Sequence, residues 1–142
     1  MSYPILAPAV GMMALTLVVW LLAAGRRVGY IMRHRIHPQR VATPEQIAEL
    51  LPMTVNSAFN NFRNLCELPV LFYAACLALA MLGVNDTPTL ALAWAFVIGR
   101  GVHSAIHCTA NIVKWRFYAY AASSLLLWGL VLRLAWAVAT AA

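Results

Sequence analysis

The chain has 142 residues, 63% of them hydrophobic and only 10% charged, against about a quarter charged in an ordinary soluble domain. That balance excludes a water-facing globule, a disordered or collagen-like chain and a free-standing nucleic-acid module, and leaves the bilayer as solvent. The net charge of +6 arises from ten Lys and Arg against four Asp and Glu, and half of the ten fall in one connection, so it marks topology and no nucleic-acid partner is expected.

Composition and spacing predict a single all-α membrane domain over 1–142, a four-transmembrane-helix bundle with helices at about 5–25, 60–83, 89–111 and 116–139 and a basic connection at 26–59. Ile5 to Ala24 runs 20 residues without a charge, enough to span the hydrocarbon core. Ala23-Ala24-Gly25 resembles a cleavage site, yet no Lys or Arg precedes the run and Arg26-Arg27 follows it, so the segment is expected to be retained.

The first connection carries Arg26, Arg27, Arg33, Arg35 and Arg40, the third carries Lys114 and Arg116, and the second has only Asp86. The positive-inside rule places the first and third connections in the cytoplasm and both termini outside. Arg133 lies at the far end of the fourth helix and is expected to snorkel to the outer interface, near Trp128 and Trp136. Within the first connection, Thr43-Pro44-Glu45-Gln46 has the form of a capping box, followed by Ile47, Leu50 and Leu51 on one face, so a short amphipathic helix is expected against the membrane surface.

Helix two opens with Asn60, Arg63, Asn64 and Glu67; Asn60, Asn64 and Glu67 share a face, and Glu67 needs an internal partner or a ligand. Helix three carries Arg100, His103, Ser104, His107 and Asn111 in one stripe. Arg100 stands near mid-bilayer, where a lipid-facing guanidinium costs a few kcal/mol, and Glu67 is its expected partner. Helix four adds Arg116, Tyr120, Ser123 and Ser124 at the same mouth. Three helices thus direct ionisable groups toward one leaflet, the signature of a functional polar pocket.

His103 and His107 lack a third ligand, and Arg100 would repel a cation, so no metal is expected. Haem would need a histidine on a facing helix, and no hydrolase triad, phosphate loop or carboxylate pair is present. Cys66, Cys76 and Cys108 have no paired spacing. Several arginines around one Glu suit a small anion with more than one carboxylate, and an Arg beside a thiol favours the thiolate. On the residues alone three classes stand: an enzyme acting on such an anion, a small oligomeric transporter of an anionic solute using Glu67, and a non-catalytic protein of the same fold.

Three motif stretches in order, with the size and helix number, make the chain resemble the membrane-associated proteins in eicosanoid and glutathione metabolism (MAPEG), which include microsomal glutathione transferases. The family's Arg-Asn-x-x-Glu followed by Pro is matched by Arg63-Asn64-Leu65-Cys66-Glu67-Leu68-Pro69. Its Gly-Arg-x-x-His is matched by Gly99-Arg100-Gly101-Val102-His103, and its helix-four Arg with a Tyr four residues on by Arg116 and Tyr120. Two positions depart from prostaglandin E synthase-like members: His107 stands for a Tyr, and Phe117 for the Ser after the helix-four Arg.

The resemblance implies a left-handed bundle assembled as a homotrimer, with glutathione as co-substrate bound at subunit interfaces near the cytoplasmic side. It implies glutathione contacts from Arg63, Asn64, Glu67, Arg100, His103 and His107, with Arg33 or Arg35 arriving from a neighbouring subunit. Arg116, assisted by Tyr120, is implied as the catalytic group at the sulfur. The activity implied is a detoxification-type transferase or peroxidase: a thiolate attacks a lipophilic electrophile or peroxide that arrives from the bilayer.

Overall fold

The computed structural model describes residues 3–140, whose regular secondary structure is helical with no strand among them. The helices are α1 (Leu6–Arg33), α2 (Pro44–Leu50), α3 (Met53–Leu65), α4 (Leu68–Met81), α5 (Thr87–Cys108) and α6 (Val113–Thr140), with a 3-10 turn at Pro38–Val41. Four segments are long and apolar enough to cross a membrane: α1, α3 and α4 taken together over Met53–Met81, α5, and α6. At 1.5 Å per residue the shortest, α5 with 22 residues, reaches about 33 Å.

The polarity is that of a protein solvated by lipid. Val10, Leu17, Val18, Leu21, Leu125, Leu132 and Trp136 are exposed, whereas Asn61, Arg100, His103, Ser104, His107 and Ser123 are buried among the helices. Phe72 of α4 packs at a tilt against Phe96 of α5, ring centroids 4.6 Å apart, in an apolar core that also holds the fully buried Met12, Leu79, Leu127 and Leu130. α5 and α6 form the most extensive pair, and they approach closely at Gly99, where an added Cβ would lie 3.0 Å from that of Ser123. Gly83, at φ +71, ends α4 by accepting the left-handed turn that lets Val84 N–H reach the Leu79 carbonyl at 3.0 Å.

Several boundaries differ from the sequence reading. Much of the expected 26–59 connection is helix: α1 continues to Arg33, so Arg26, Arg27 and Arg33 belong to it, and α3 starts at Met53 rather than near residue 60. α5 stops at Cys108, short of 111, and α6 starts at Val113, ahead of 116. Hydropathy marks where apolar residues stop, whereas a helix continues until its backbone is capped or broken. The second span breaks at Cys66 and Glu67, where Glu67 has φ −97 and ψ −95, because Pro69 offers no N–H to continue the ladder and clashes with the preceding turn. The capping box is present as expected: Thr43 Oγ1 accepts from Gln46 N–H at 3.4 Å, and Gln46 Oε1 accepts from Thr43 N–H at 3.2 Å. α2 is seated on α3 by Asn56, whose Nδ2 donates to the Leu51 carbonyl at 2.9 Å.

Candidate functional site

The break in the second span creates the site. Ending α3 at Leu65 leaves carbonyls of its last turn without intrahelical donors. Arg100, fully buried on α5, donates from Nη2 to the Asn64 carbonyl at 3.0 Å, placing a cation at the negative end of α3. Its guanidinium carbon lies over the Tyr120 ring, 5.4 Å from the centroid, and its Nε and Nη1 are buried without partners. The expected Arg100–Glu67 ion pair is therefore absent. Glu67 caps no group with its side chain and stays exposed at the break, and the single ion pair among the described residues is Arg133–Asp86. A backbone carbonyl freed by proline took the place of the carboxylate.

Arg26 performs the same service for α5, donating from Nη1 to the Cys108 carbonyl at 2.8 Å. Arg133 does not merely snorkel: its Nη2 lies 2.8 Å from Asp86 Oδ2, and Asp86 Oδ1 caps α5 by accepting from Thr89 N–H at 3.0 Å and Thr89 Oγ1 at 2.8 Å. The Thr89 hydroxyl bond, with the Thr89 N–H and Arg133 also contributing, holds the Asp86 carboxyl below the ordinary aspartate range.

At the opposite end of the bundle α5 turns into α6 through Asn111, held at φ +49, with its N–H on the Ile106 carbonyl at 2.7 Å. The turn folds Arg116 back over α5. One nitrogen of its guanidinium, Nη1, donates both to Asn111 Oδ1 at 2.7 Å and to His107 Nε2 at 3.0 Å. Accepting at Nε2 puts the His107 proton on Nδ1, which is buried without a partner. His103 Nδ1 lies 3.0 Å from the Arg116 carbonyl and must donate to it, so the first turn of α6 is tied to two histidines one helical turn apart.

Arg116 and His107 form one wall of a cleft of about 250 Å³, and Asn60, Arg63, Asn64 and Glu67 of the α3–α4 break form the other. Among the described residues the Arg63 side chain makes no hydrogen bond or ion pair with the chain, and the Arg116 side chain uses only Nη1, so both guanidiniums have donors free for a ligand. The cleft thus offers two cations, one carboxylate and two amides. Five of the ten residues expected at the site, Arg63, Asn64, Glu67, His107 and Arg116, meet here.

The other five do not line it. Arg100, His103 and Tyr120 form a layer behind it, with the rings of His103 and Tyr120 5.8 Å apart. Ser123 and Ser124 both donate their hydroxyl protons to the Tyr120 carbonyl, at 2.9 and 2.8 Å, and do not line the cleft. Arg33 lines a separate groove of about 910 Å³ with Gly25, Arg26 and Tyr30, and Arg35 stands exposed at φ +51 just past α1. The sequence reading placed Asn111 in the polar stripe but missed its role as anchor of Arg116; an Asn in a short helix–helix turn, where left-handed backbone is common, was the available signal.

No group of three or more potential metal ligands occurs among the described residues. No curated protein and no solved structure matches the chain. The model of one family does match, over residues 5–136, which takes in the first three spans and most of the fourth. The chain is an integral, multi-pass membrane protein that belongs to the MAPEG family.

Proposed function

We propose that the protein is a membrane glutathione-dependent transferase, in which glutathione binds the α3–α5–α6 cleft and its thiolate attacks a lipophilic electrophile. The observation that carries this reading is Arg116: its Nη1 is locked by Asn111 and His107 while the rest of its guanidinium faces a cleft that already holds Arg63 and Glu67. Arg63 and the two amides suit the carboxylates of the tripeptide, Glu67 suits its ammonium group, and Arg116 suits the sulfur. A preorganised cation beside sulfur favours the thiolate. Sulfur then donates a lone pair to the electrophilic carbon, the C–S bond forms, the leaving group departs with its electron pair, and the thiol proton passes to water at the open cleft. Arg100, His103 and Tyr120 act behind this wall, holding α3 and α6 in register. In a homotrimer Arg33 and Arg35 would close the cleft from a neighbouring subunit, since neither reaches it within its own chain.

Titration of the purified protein with glutathione, followed by thiol consumption with chlorodinitrobenzene, tests the reading. Saturable binding with consumption is expected. Absence of binding overturns it, and binding without consumption of that or other electrophiles identifies a non-catalytic member of the fold.

A further inference from the structure

A second cleft, of about 610 Å³, lies between the short helix α2 and the faces of α1 and α3, within the roughly 300–1,000 Å³ typical of small-molecule sites. Its walls are apolar side chains, among them Ile47, Leu51 and Phe59, and its polar part is Arg27, Arg63 and two amides, with no acidic residue. The α2 roof is fixed in place by the Asn56 bond to the Leu51 carbonyl, so the cleft is part of the fold and not a chance gap under a loop.

Arg27 is unusually placed in it. Its guanidinium carbon lies 3.7 Å above the Phe59 ring centre, its one hydrogen bond is a long 3.4 Å contact from Nη2 to Asn56 Oδ1, and its Nε is buried with no partner. A desolvated N–H on a cation held over a ring calls for a compact anionic acceptor. Arg27 also stands three residues past the charge-free run that ends at Ala24, the depth at which an amphiphile in the bilayer carries its head. We propose that this cleft binds a single-chain carboxylate amphiphile from the membrane, its head between Arg27 and Arg63 and its chain along Ile47, Leu51 and Phe59. A cleft of about 610 Å³ suits one chain with its head. The site stands whether or not the neighbouring polar cleft takes glutathione, although Asn60 and Arg63 line both.

The test is photo-crosslinking of a diazirine-bearing palmitate to the full protein in phosphatidylcholine nanodiscs, with the labelled peptides identified by mass spectrometry. Label is expected on the segment from Ile47 to Phe59, displaced by excess palmitate and not by its methyl ester or by a phosphatidylglycerol supplement. Arg27→Gln should weaken competition by palmitate about tenfold, the loss of one charge-assisted contact. Ala48→Phe, a change on the exposed helix α2 that fills the cleft, should abolish the label while leaving the melting temperature in place. Label spread over all lipid-facing helices, equal displacement by the methyl ester, displacement by phosphatidylglycerol, or full labelling of Ala48→Phe would each overturn the proposal.

Discussion

Arg100 Nη2 bonds the carbonyl oxygen of Asn64 at 3.0 Å, so the most deeply buried cation of the bundle is held by a broken helix and not by an acid. Pro69 breaks the second span, the break frees a carbonyl, and the guanidinium of the adjacent span occupies it. The same break leaves Glu67 exposed on the polar cleft, available to a ligand rather than committed to the fold.

Stability should therefore respond unequally to these two residues. Glu67→Gln alters an exposed side chain without a partner in the chain and should leave detergent thermal stability within about 0.5 kcal/mol of wild type. Arg100→Ala opens a buried cavity and leaves the Asn64 carbonyl without its donor, a loss of about 2–5 kcal/mol. Thermal melts of both variants without ligand check this, and equal losses would restore the ion pair.

Much of this architecture was legible in the sequence. The charge-free run to Ala24, the Thr43–Gln46 box and the polar stripe from Arg100 to His107 carry their own signals in spacing. Arg63, Asn64, Glu67, His107 and Arg116 were foreseen as neighbours because three helices carry polar residues at one end. The partner of Arg100 was not legible, since every residue has a carbonyl and only the three-dimensional break shows which one is free. The role of Asn111 was hidden for a similar reason: it depends on a left-handed turn and not on its place in a helical stripe.

The acidic end of the bundle has its own pH response. The folded state holds Asp86 below the ordinary aspartate pKa of about 3.9. Its contribution to stability is then fully present above about pH 4, the unfolded value, and is lost as pH falls through the lower folded value. Melting temperatures of wild type and Asp86→Asn should run parallel from pH 7 to about pH 5 and converge below about pH 4. Divergence on acidification would contradict the cap.

Arg133 also bears on sidedness. It is the one Lys or Arg at its end of the bundle, whereas Arg33, Arg35, Arg40 and Lys114 are exposed in or beside the first and third connections. The charge bias predicts that those connections face the cytoplasm and both termini face away from it. A reporter active only in the cytoplasm, fused at the C-terminus, should be silent, and the same reporter inserted after Arg40 should be active.

Arg116 is expected to lower the pKa of the bound thiol. Arg116→Ala should abolish the thiolate ultraviolet absorbance of the glutathione complex at neutral pH while Arg63 preserves part of the binding. Arg116→Lys should recover a fraction, because an ammonium supplies charge without the planar fork that reaches Asn111, His107 and sulfur together. A full thiolate signal in Arg116→Ala would move the role to another group.

Asn111 separates the structural part of this arrangement from the chemical part. The residue holds φ +49, which costs an alanine roughly 1–2 kcal/mol and a glycine nothing of steric origin, and its Oδ1 receives Arg116 Nη1 at 2.7 Å. Asn111→Ala should therefore melt below Asn111→Gly despite the greater chain entropy of glycine, since both lose the same bond. Asn111→Asp tolerates the turn and keeps the acceptor, so the guanidinium stays in place and stability should match wild type. It also sets a negative charge against Arg116, leaving less of its field for sulfur, and the thiol pKa in the complex should rise. Spectroscopic titration of glutathione bound to the three variants, beside their melts, reads both effects. Should the thiolate fraction track thermal stability across the series, Asn111 acts only through the fold; should Asn111→Asp alone combine full stability with a diminished thiolate, the anchor tunes the charge that Arg116 presents.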